Sequence, residues 1–119
     1  MPEQYGSGSP IIIPAARYNV RSTVATTDAP TTQDAIILTN NAAGTAVNLP
    51  TAVSVGSGFR LTVVNVGSSG TTTVNPSEGP PDDTVNGTDA GYTTGLTTQW
   101  GAVVFVSDGV SNWIAIAGL

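Results

Sequence analysis

Residues 100–117 read WGAVVFVSDGVSNWIAIA, and this stretch decides the fold class. It contains two apolar runs, 100–107 and 111–117, in which β-branched and aromatic residues predominate, as is typical of strands. Between them lies Asp108-Gly109, a dipeptide that favours the tight turn between two antiparallel strands. The stretch therefore predicts a β-hairpin.

Both faces of this predicted hairpin are apolar. Successive side chains of a strand point to opposite faces. The first strand sets Val103 and Phe105 against Ala102, Val104 and Val106, and the second sets Trp113 and Ala115 against Ile114 and Ile116. Because antiparallel sheets commonly pack one face and leave the other in water, the second face needs a cover. That cover is an N-terminal arm, another subunit or both, or else loops of the same chain bury a central strand.

Six residues of this stretch are predicted to lie in a subunit interface or in the core: Trp100, Val104, Val106, Trp113, Ile114 and Ile116. The two tryptophans could also stack on sugars. Their positions within or beside apolar strands favour packing, because a tryptophan supplies a large apolar area to a core or an interface.

Outward from the hairpin, turn residues separate further strand-like segments. They are 17–27, 35–39, 45–49, 59–66, 71–75 and 83–86. The first is expected to supply Tyr18, Val20 and Val24 to the core. Segments 35–39 and 45–49 are expected to pair as a hairpin, and 50–58 to contain one helical turn. About eight short strands predict one all-β domain over residues 17–119, an antiparallel β-sandwich or a jelly-roll-like fold.

Residues 1–16 differ from the rest and are predicted to form an extended N-terminal arm. The segment 5–10 is rich in Gly and Ser, as flexible linkers are. Ile11, Ile12 and Ile13 follow between Pro10 and Pro14, which permit only an extended piece or an edge strand. These three isoleucines are the part of the arm that is predicted to bind a partner; alternatively, they form the first strand of their own domain.

The composition supports strands and a covered surface. Of 119 residues, 39 are Thr, Val or Ile, the β-branched types that pack well on a pleated surface. Only 9% are charged and the net charge is −5, which indicates that neighbouring molecules cover much of the surface. Three basic residues cannot form the cluster that nucleic-acid binding requires. No apolar run approaches the length of a membrane span, so neither nucleic acid nor a membrane is an expected partner.

Catalysis and cofactors are not expected. His, Cys and Lys are absent, which removes the serine triad, thiol nucleophiles, Schiff-base lysines and ordinary zinc sites. The carboxylates lie mostly in turns, where such side chains usually bond their own backbone. Four oxygen-bearing side chains within eight residues, Asp82, Asp83, Asn86 and Asp89, could supply ligands to a calcium ion. Their spacing does not match an EF-hand loop, so turn chemistry is favoured and no metal is predicted.

Five short motifs between residue 34 and the end carry a resemblance to a known class of protein. They are Val47-Asn48-Leu49-Pro50, residues 58–63, Thr73-Val74-Asn75-Pro76, residues 83–87, and Ser107-Asp108-Gly109 with Trp113-Ile114. In these the chain resembles small β-domains of tailed-phage virion proteins, over about 70% of its length. The Pro80-Pro81 pair departs from the pattern.

The resemblance implies a capsid decoration protein, a head fibre or a tail fibre, commonly a homotrimer, with no catalytic motif. A decoration (cement) protein is favoured because no repeated shaft is visible. Its expected partners are further copies of itself and the major capsid protein, and its expected place is the outer capsid surface of the virion. The alternative is a short head- or tail-fibre module that binds host-surface glycans.

Overall fold

The computed structural model describes residues 19–80 and 82–117, so the predicted arm with Ile11, Ile12 and Ile13 lies outside the described residues. The described chain is built of nine strands and one short helix α1, and the prediction of an all-β chain is confirmed. The strands are β1 Asn19–Thr23, β2 Thr27–Asp28, β3 Asp34–Thr39, β4 Thr45–Asn48, β5 Ser57–Asn65, β6 Thr72–Asn75, β7 Thr84–Val85, β8 Gly101–Asp108 and β9 Asn112–Ala117. The predicted helical turn is α1, Ala52–Val55.

The first six strands form a coil. Strands β1, β3 and β5 are parallel neighbours in a six-stranded sheet, and β2, β4 and β6 are parallel neighbours in a three-stranded sheet. The chain therefore passes from one sheet to the other and back three times. Each turn stacks on the previous one, as in a β-solenoid.

This topology corrects the hairpin predicted for residues 35–49. Strand β3 pairs with β1 and β5, whereas β4 pairs with β2 and β6 in the other sheet. The loop between them is a corner of the coil, closed by a hydrogen bond from the Gly44 amide to the Asn41 carbonyl at 2.8 Å. Asn and Gly favour a tight corner between sheets as readily as a hairpin turn, which is why the sequence pattern was misleading.

The C-terminal hairpin is confirmed. Strand β8 pairs antiparallel with β5 on one side and with β9 on the other, and β7 adds to β9 in parallel. The Asp108 carboxylate accepts hydrogen bonds from the backbone N–H groups of Val110, Ser111 and Asn112 at 2.8–3.0 Å. The turn residues thus close the hairpin as predicted.

The predicted antiparallel direction is wrong for most of the sheet. Within residues 19–80 and 82–117, five strand pairs are parallel and two are antiparallel. Two layers do enclose one core, but consecutive strands of the coil lie in different sheets. The alternation of side chains along a strand has the same period in both directions, so it carries no information on strand direction.

The core lies between the two sheets. Its fully buried side chains are Ile37, Val47, Ala52, Leu61, Val63, Val74, Leu96, Val103, Phe105 and Trp113. The ring of Phe59 packs edge-to-face on Trp113, with ring centroids 6.1 Å apart. The predicted core positions Val20 and Val24 are wrong, because these side chains are 59% and 73% exposed; Tyr18 lies outside the described residues. Arg21, rather than Val20, points inward from β1, opposite Ile37.

Candidate functional site: the outer face of the six-stranded sheet

The side of the six-stranded sheet that points away from the core is apolar, and it is called the outer face below. It consists of three cross-strand rows. The first is Val20, Ile36, Thr62, Val104 and Ile116, the second is Ser22, Leu38, Val64 and Ala102, and the third is Arg60, Val106 and Ile114. Eight of the twelve side chains are aliphatic, or nine with alanine counted.

Several outer-face side chains are open to solvent. Val20, Ile116 and Ile114 are 59%, 45% and 40% exposed, and Val104 and Val106 are half-buried. Helix α1 lies on the core side of this sheet, where the Ser107 hydroxyl donates to the Ala52 carbonyl oxygen at 3.0 Å. A contiguous apolar surface of this kind on a chain marks a site of association rather than a surface made for water.

The opposite sheet differs in chemistry. The outward rows of the three-stranded sheet are Thr27, Ala46 and Thr73, and next to them Asn48 and Asn75. The side-chain amide of Asn75 donates to the Asn48 side-chain oxygen at 3.0 Å. Polar and small side chains suit a solvated face. The molecule therefore has one outer side suited to water and one suited to a partner.

Charge is almost absent from the outer face. Arg60 is the single charged side chain of its three rows. Of the described carboxylates, Asp28 and Asp34 lie in an ion network and Asp83 is buried against α1. Glu78, Asp82 and Asp89 lie in connections, and Asp108 is the last residue of β8, where it caps the turn to β9. A partner surface of either sign would therefore gain little from this face, while a second apolar face would gain from contact with it.

The free edge of β1, in contrast, is protected against pairing. Arg21 points inward and binds two carboxylates, Asp28 at 2.7 Å and Asp34 at 3.0 Å. The hydrogen bonds to Asp28 and then Asp34 raise the pKa of the Arg21 guanidinium above its ordinary value. Inward-pointing charge is a common way to block edge-to-edge association of sheets. The edge of the coil at β1 therefore carries charged side chains that disfavour pairing with another strand. Association with a partner is expected at the outer face instead.

Asp34 is the buried member of this network. Burial alone would raise the pKa of Asp34, but the hydrogen bonds from Arg21 and from the Thr31 backbone outweigh it and lower the pKa below its ordinary value. Asp34 is therefore charged whenever the protein is near neutral pH, and it holds Arg21 over the end of the core.

The structure divides the six residues predicted for a subunit interface or core. Val104, Val106, Ile114 and Ile116 lie on the outer face, and Trp113 is fully buried in the core. Trp100 is neither: it is 68% exposed, immediately before β8, with a backbone φ of +68°. The backbone N–H of Trp100 donates to the Asn65 carbonyl oxygen at 2.6 Å. This hydrogen bond holds Trp100 in the uncommon left-handed conformation.

Sequence reasoning missed half of the outer face. Val20 was assigned to the core, and Ile36, Leu38 and Val64 were not assigned to any face. The signal was present, since residues 35–38 are apolar at consecutive positions, as 102–106 are, and Val63 and Val64 are adjacent apolar residues. The hydrogen-bonded pair Asn48 and Asn75 was missed as well, because no pattern along the chain brings them together.

The four oxygen-bearing side chains considered for calcium do not converge. The Asp83 carboxylate is buried and accepts the backbone N–H of Ala52 at 2.7 Å. The Asn86 side chain accepts the Ala115 N–H at 2.9 Å, and Asp82 and Asp89 are exposed. In the part of the chain that the structure describes, no three His, Cys, Asp or Glu side chains form a group that could hold a metal ion.

A second surface feature lies at one end of the three-stranded sheet. A groove of about 460 Å³ is lined by Asn48, Leu49, Asn75, Pro76, Ser77 and Glu78. Because Asn75 donates this hydrogen bond, the Asn48 amide N–H groups and the Asn75 side-chain oxygen have no partner among the described residues and could bond a ligand. The groove is therefore a polar site of modest size.

Comparison with protein-family models, with curated proteins and with solved structures finds no match to this chain. Among the described residues, no helix has the length and apolarity to cross a bilayer.

Proposed function

We propose that the chain is a non-enzymatic structural component of a tailed-phage virion, a decoration protein that binds the outer capsid surface as a homotrimer. The single observation that carries the proposal is the outer face, an apolar sheet surface with one charged side chain. A protein that works alone has no use for such a surface. The resemblance of its five motifs to virion β-domains indicates the kind of assembly.

The proposed activity is binding rather than chemistry. A decoration protein that contacts several capsid subunits at once stabilises the assembled shell over its separated parts, by the linkage that applies to any ligand of the native state. Three copies held together multiply the effect, because the second and third contacts form at high effective concentration. Catalytic groups and cofactors are not needed for this activity.

The contact with the shell is assigned to the N-terminal arm, residues 1–16, through Ile11, Ile12 and Ile13. The arm leads into β1, the edge strand of the six-stranded sheet. Deletion of residues 1–16 should leave a folded homotrimer that no longer binds the capsid, which size-exclusion chromatography and particle sedimentation would measure. A truncated chain that does not fold would contradict the assignment, because the arm would then belong to the core.

The function is tested with particles that lack the protein. Such particles should lose their contents at a lower temperature or under a milder osmotic shock than complete particles, and purified protein added back should restore resistance. The control is the same protein without residues 1–16, which should not restore it. Particles that are equally robust without the protein would refute the decoration function.

A second function is favoured by a separate observation, the polar groove at Asn48 and Asn75. A fibre module that binds host-surface glycans would use paired amides of this kind, because each amide can both donate and accept a hydrogen bond. The exposed Trp100 offers an apolar ring for sugar stacking. In this case Asn75→Ala should abolish glycan binding on an array and reduce adsorption of particles to cells, while shell stability stays unchanged.

A further inference from the structure

Asn86-Gly87 is the only Asn-Gly pair in the sequence, and it is chemically reactive. An asparagine before glycine deamidates readily, because glycine lacks the Cβ atom that would hinder the approach of its own backbone nitrogen. The Gly87 nitrogen gives up its proton and attacks the Asn86 side-chain carbonyl carbon, and ammonia leaves. Water then opens the resulting five-membered succinimide ring to aspartate or isoaspartate. Asn86 is exposed, so water reaches the site.

The pair forms the tip of a tight turn. The backbones of Val85 and Thr88 exchange hydrogen bonds of 2.9 Å in both directions. Between them Asn86 has a φ of +50° and Gly87 a φ of +79°. Positive φ at both central residues defines the turn for which Asn-Gly is the preferred sequence. The turn therefore favours this pair for its backbone conformation, and the reactivity comes with it.

Strand β9 holds both groups that would react. The Gly87 N–H donates to the Asn112 side-chain oxygen at 3.0 Å. The Asn86 side chain lies along the edge of β9 like a further residue of β7. Its oxygen accepts the Ala115 N–H at 2.9 Å, and its amide group donates to the Ala115 carbonyl oxygen at 3.4 Å. The attacking nitrogen and the carbon that it would attack are thus each engaged with a different partner.

These contacts act on the reaction in a definite direction. The Gly87 nitrogen must lose its proton before it attacks, and a hydrogen bond donated to a fixed oxygen favours the protonated form. The Ala115 N–H polarises the Asn86 carbonyl, which by itself would favour attack. The attack, however, requires the Asn86 side chain to leave Ala115 and turn toward Gly87, so the net effect of the two contacts is protection.

We propose that Asn86 is a deamidation site that the side chain of Asn112 and the backbone of Ala115 protect while β7 is paired with β9. When this edge of the sheet opens, the reaction proceeds, and its products do not restore the edge. An aspartate carboxylate has no N–H for the Ala115 carbonyl oxygen and repels it. Isoaspartate adds a methylene group to the backbone and displaces Gly87 from Asn112. Deamidation thus records each opening irreversibly, whatever assembly the protein belongs to.

The experiment follows deamidation at residue 86 by peptide mapping of the purified full-length chain in mildly alkaline buffer. In the folded wild type the reaction should be at least about tenfold slower than in the same chain unfolded in guanidinium chloride. Asn112→Ala frees the Gly87 N–H and should speed the reaction of the folded chain roughly five- to tenfold, the rate equivalent of one hydrogen bond. Asn112→Asp keeps an oxygen acceptor for Gly87 and should react as slowly as the wild type.

The matched control is Thr84→Val. The Thr84 hydroxyl donates to the same Asn112 oxygen at 2.7 Å, so this variant loses one hydrogen bond of the edge and leaves the Gly87 N–H bound. It should react at the wild-type rate. A control as fast as Asn112→Ala would show that general loosening of the edge sets the rate, and it would overturn the proposal.

Two further outcomes would also overturn the proposal. One is a folded wild type that deamidates as fast as the unfolded chain, and the other is a folded Asn112→Ala chain that reacts at the wild-type rate. Circular dichroism shows whether Asn112→Ala is folded. If it is not, the comparison of the folded with the unfolded wild type still decides whether the fold protects Asn86.

Discussion

The side-chain amide of Asn65 donates to the Gly70 carbonyl oxygen across 3.1 Å and to the Leu96 carbonyl oxygen across 3.0 Å. One buried side chain thus ties the loop between β5 and β6 to the long connection that precedes β8. Gly70 is held there with φ +88°, and a Cβ atom at this position would collide with the carbonyl oxygens of Asn41 and Ala42. The coils therefore approach each other at a backbone position that admits only glycine.

Gly70→Ala should lower the free energy of unfolding by about 3–4 kcal/mol. About 1–2 kcal/mol comes from the left-handed conformation, and the rest from overpacking against backbone that cannot move. Gly87→Ala is the matched control, because Gly87 also has a positive φ, +79°, with open space around its Cβ position. The control variant should lose only the part of the unfolding free energy that comes from the left-handed conformation, about 1–2 kcal/mol. If urea denaturation shows the same loss of unfolding free energy for Gly70→Ala and for the control variant, the close approach of the backbone at Gly70 is contradicted.

Asp34→Asn should destabilise the chain more than Asp28→Asn. Both carboxylates bind Arg21, but Asp34 also accepts the Thr31 N–H at 2.9 Å. We expect a loss of about 1–3 kcal/mol for Asp34→Asn, the usual cost of a buried hydrogen bond to a charged group. Chemical denaturation of both variants measures the difference. A larger loss for Asp28→Asn would mean that Asp28, not Asp34, holds Arg21 over the core.

Stability should fall in acid. Because the folded-state pKa of Asp34 lies below its ordinary value, its contribution is fully present above the unfolded pKa, about 3.9. It is lost as the pH falls through the lower folded pKa. The melting temperature should therefore decrease below about pH 4, and Asp34→Asn should flatten this decrease. A pH profile identical in wild type and variant would contradict the linkage.

Trp100→Gly should raise the melting temperature of the isolated chain. Tryptophan at φ +68° is strained, whereas glycine adopts this conformation freely, and a side chain that is 68% exposed loses little packing on removal. We expect a gain of about 1 kcal/mol in unfolding free energy. Residues held in strained conformations cluster at functional sites, so the same variant should bind less well to particles or to glycans. A loss of stability would show that the indole is packed more firmly than its exposure indicates.

Much of the local structure follows from the sequence. The segments 35–39, 45–49, 59–66, 71–75, 100–107 and 111–117 each correspond to an observed strand within about two residues. The opposite orientation of Val103 and Val104, and of Trp113 and Ile114, was predicted as well. These features depend on neighbours along the chain: β-branched side chains favour extended backbone, Gly and Asn end it, and successive side chains alternate.

Only the tertiary structure decided which strands pair. Strands join through backbone N–H and C=O groups that are the same in every residue, so β3 could have paired with β4 as well as with β5. The choice was made by burial: the coil sets Ile37 beside Val63 and Val47 beside Val74, and so stacks the core of one turn on the next. It also set Val20 and Ile116, 96 positions apart in the chain, at the two ends of one row. The apolar outer face exists because strands distant in sequence contribute to it, and alternation within any single strand contains no information on those neighbours.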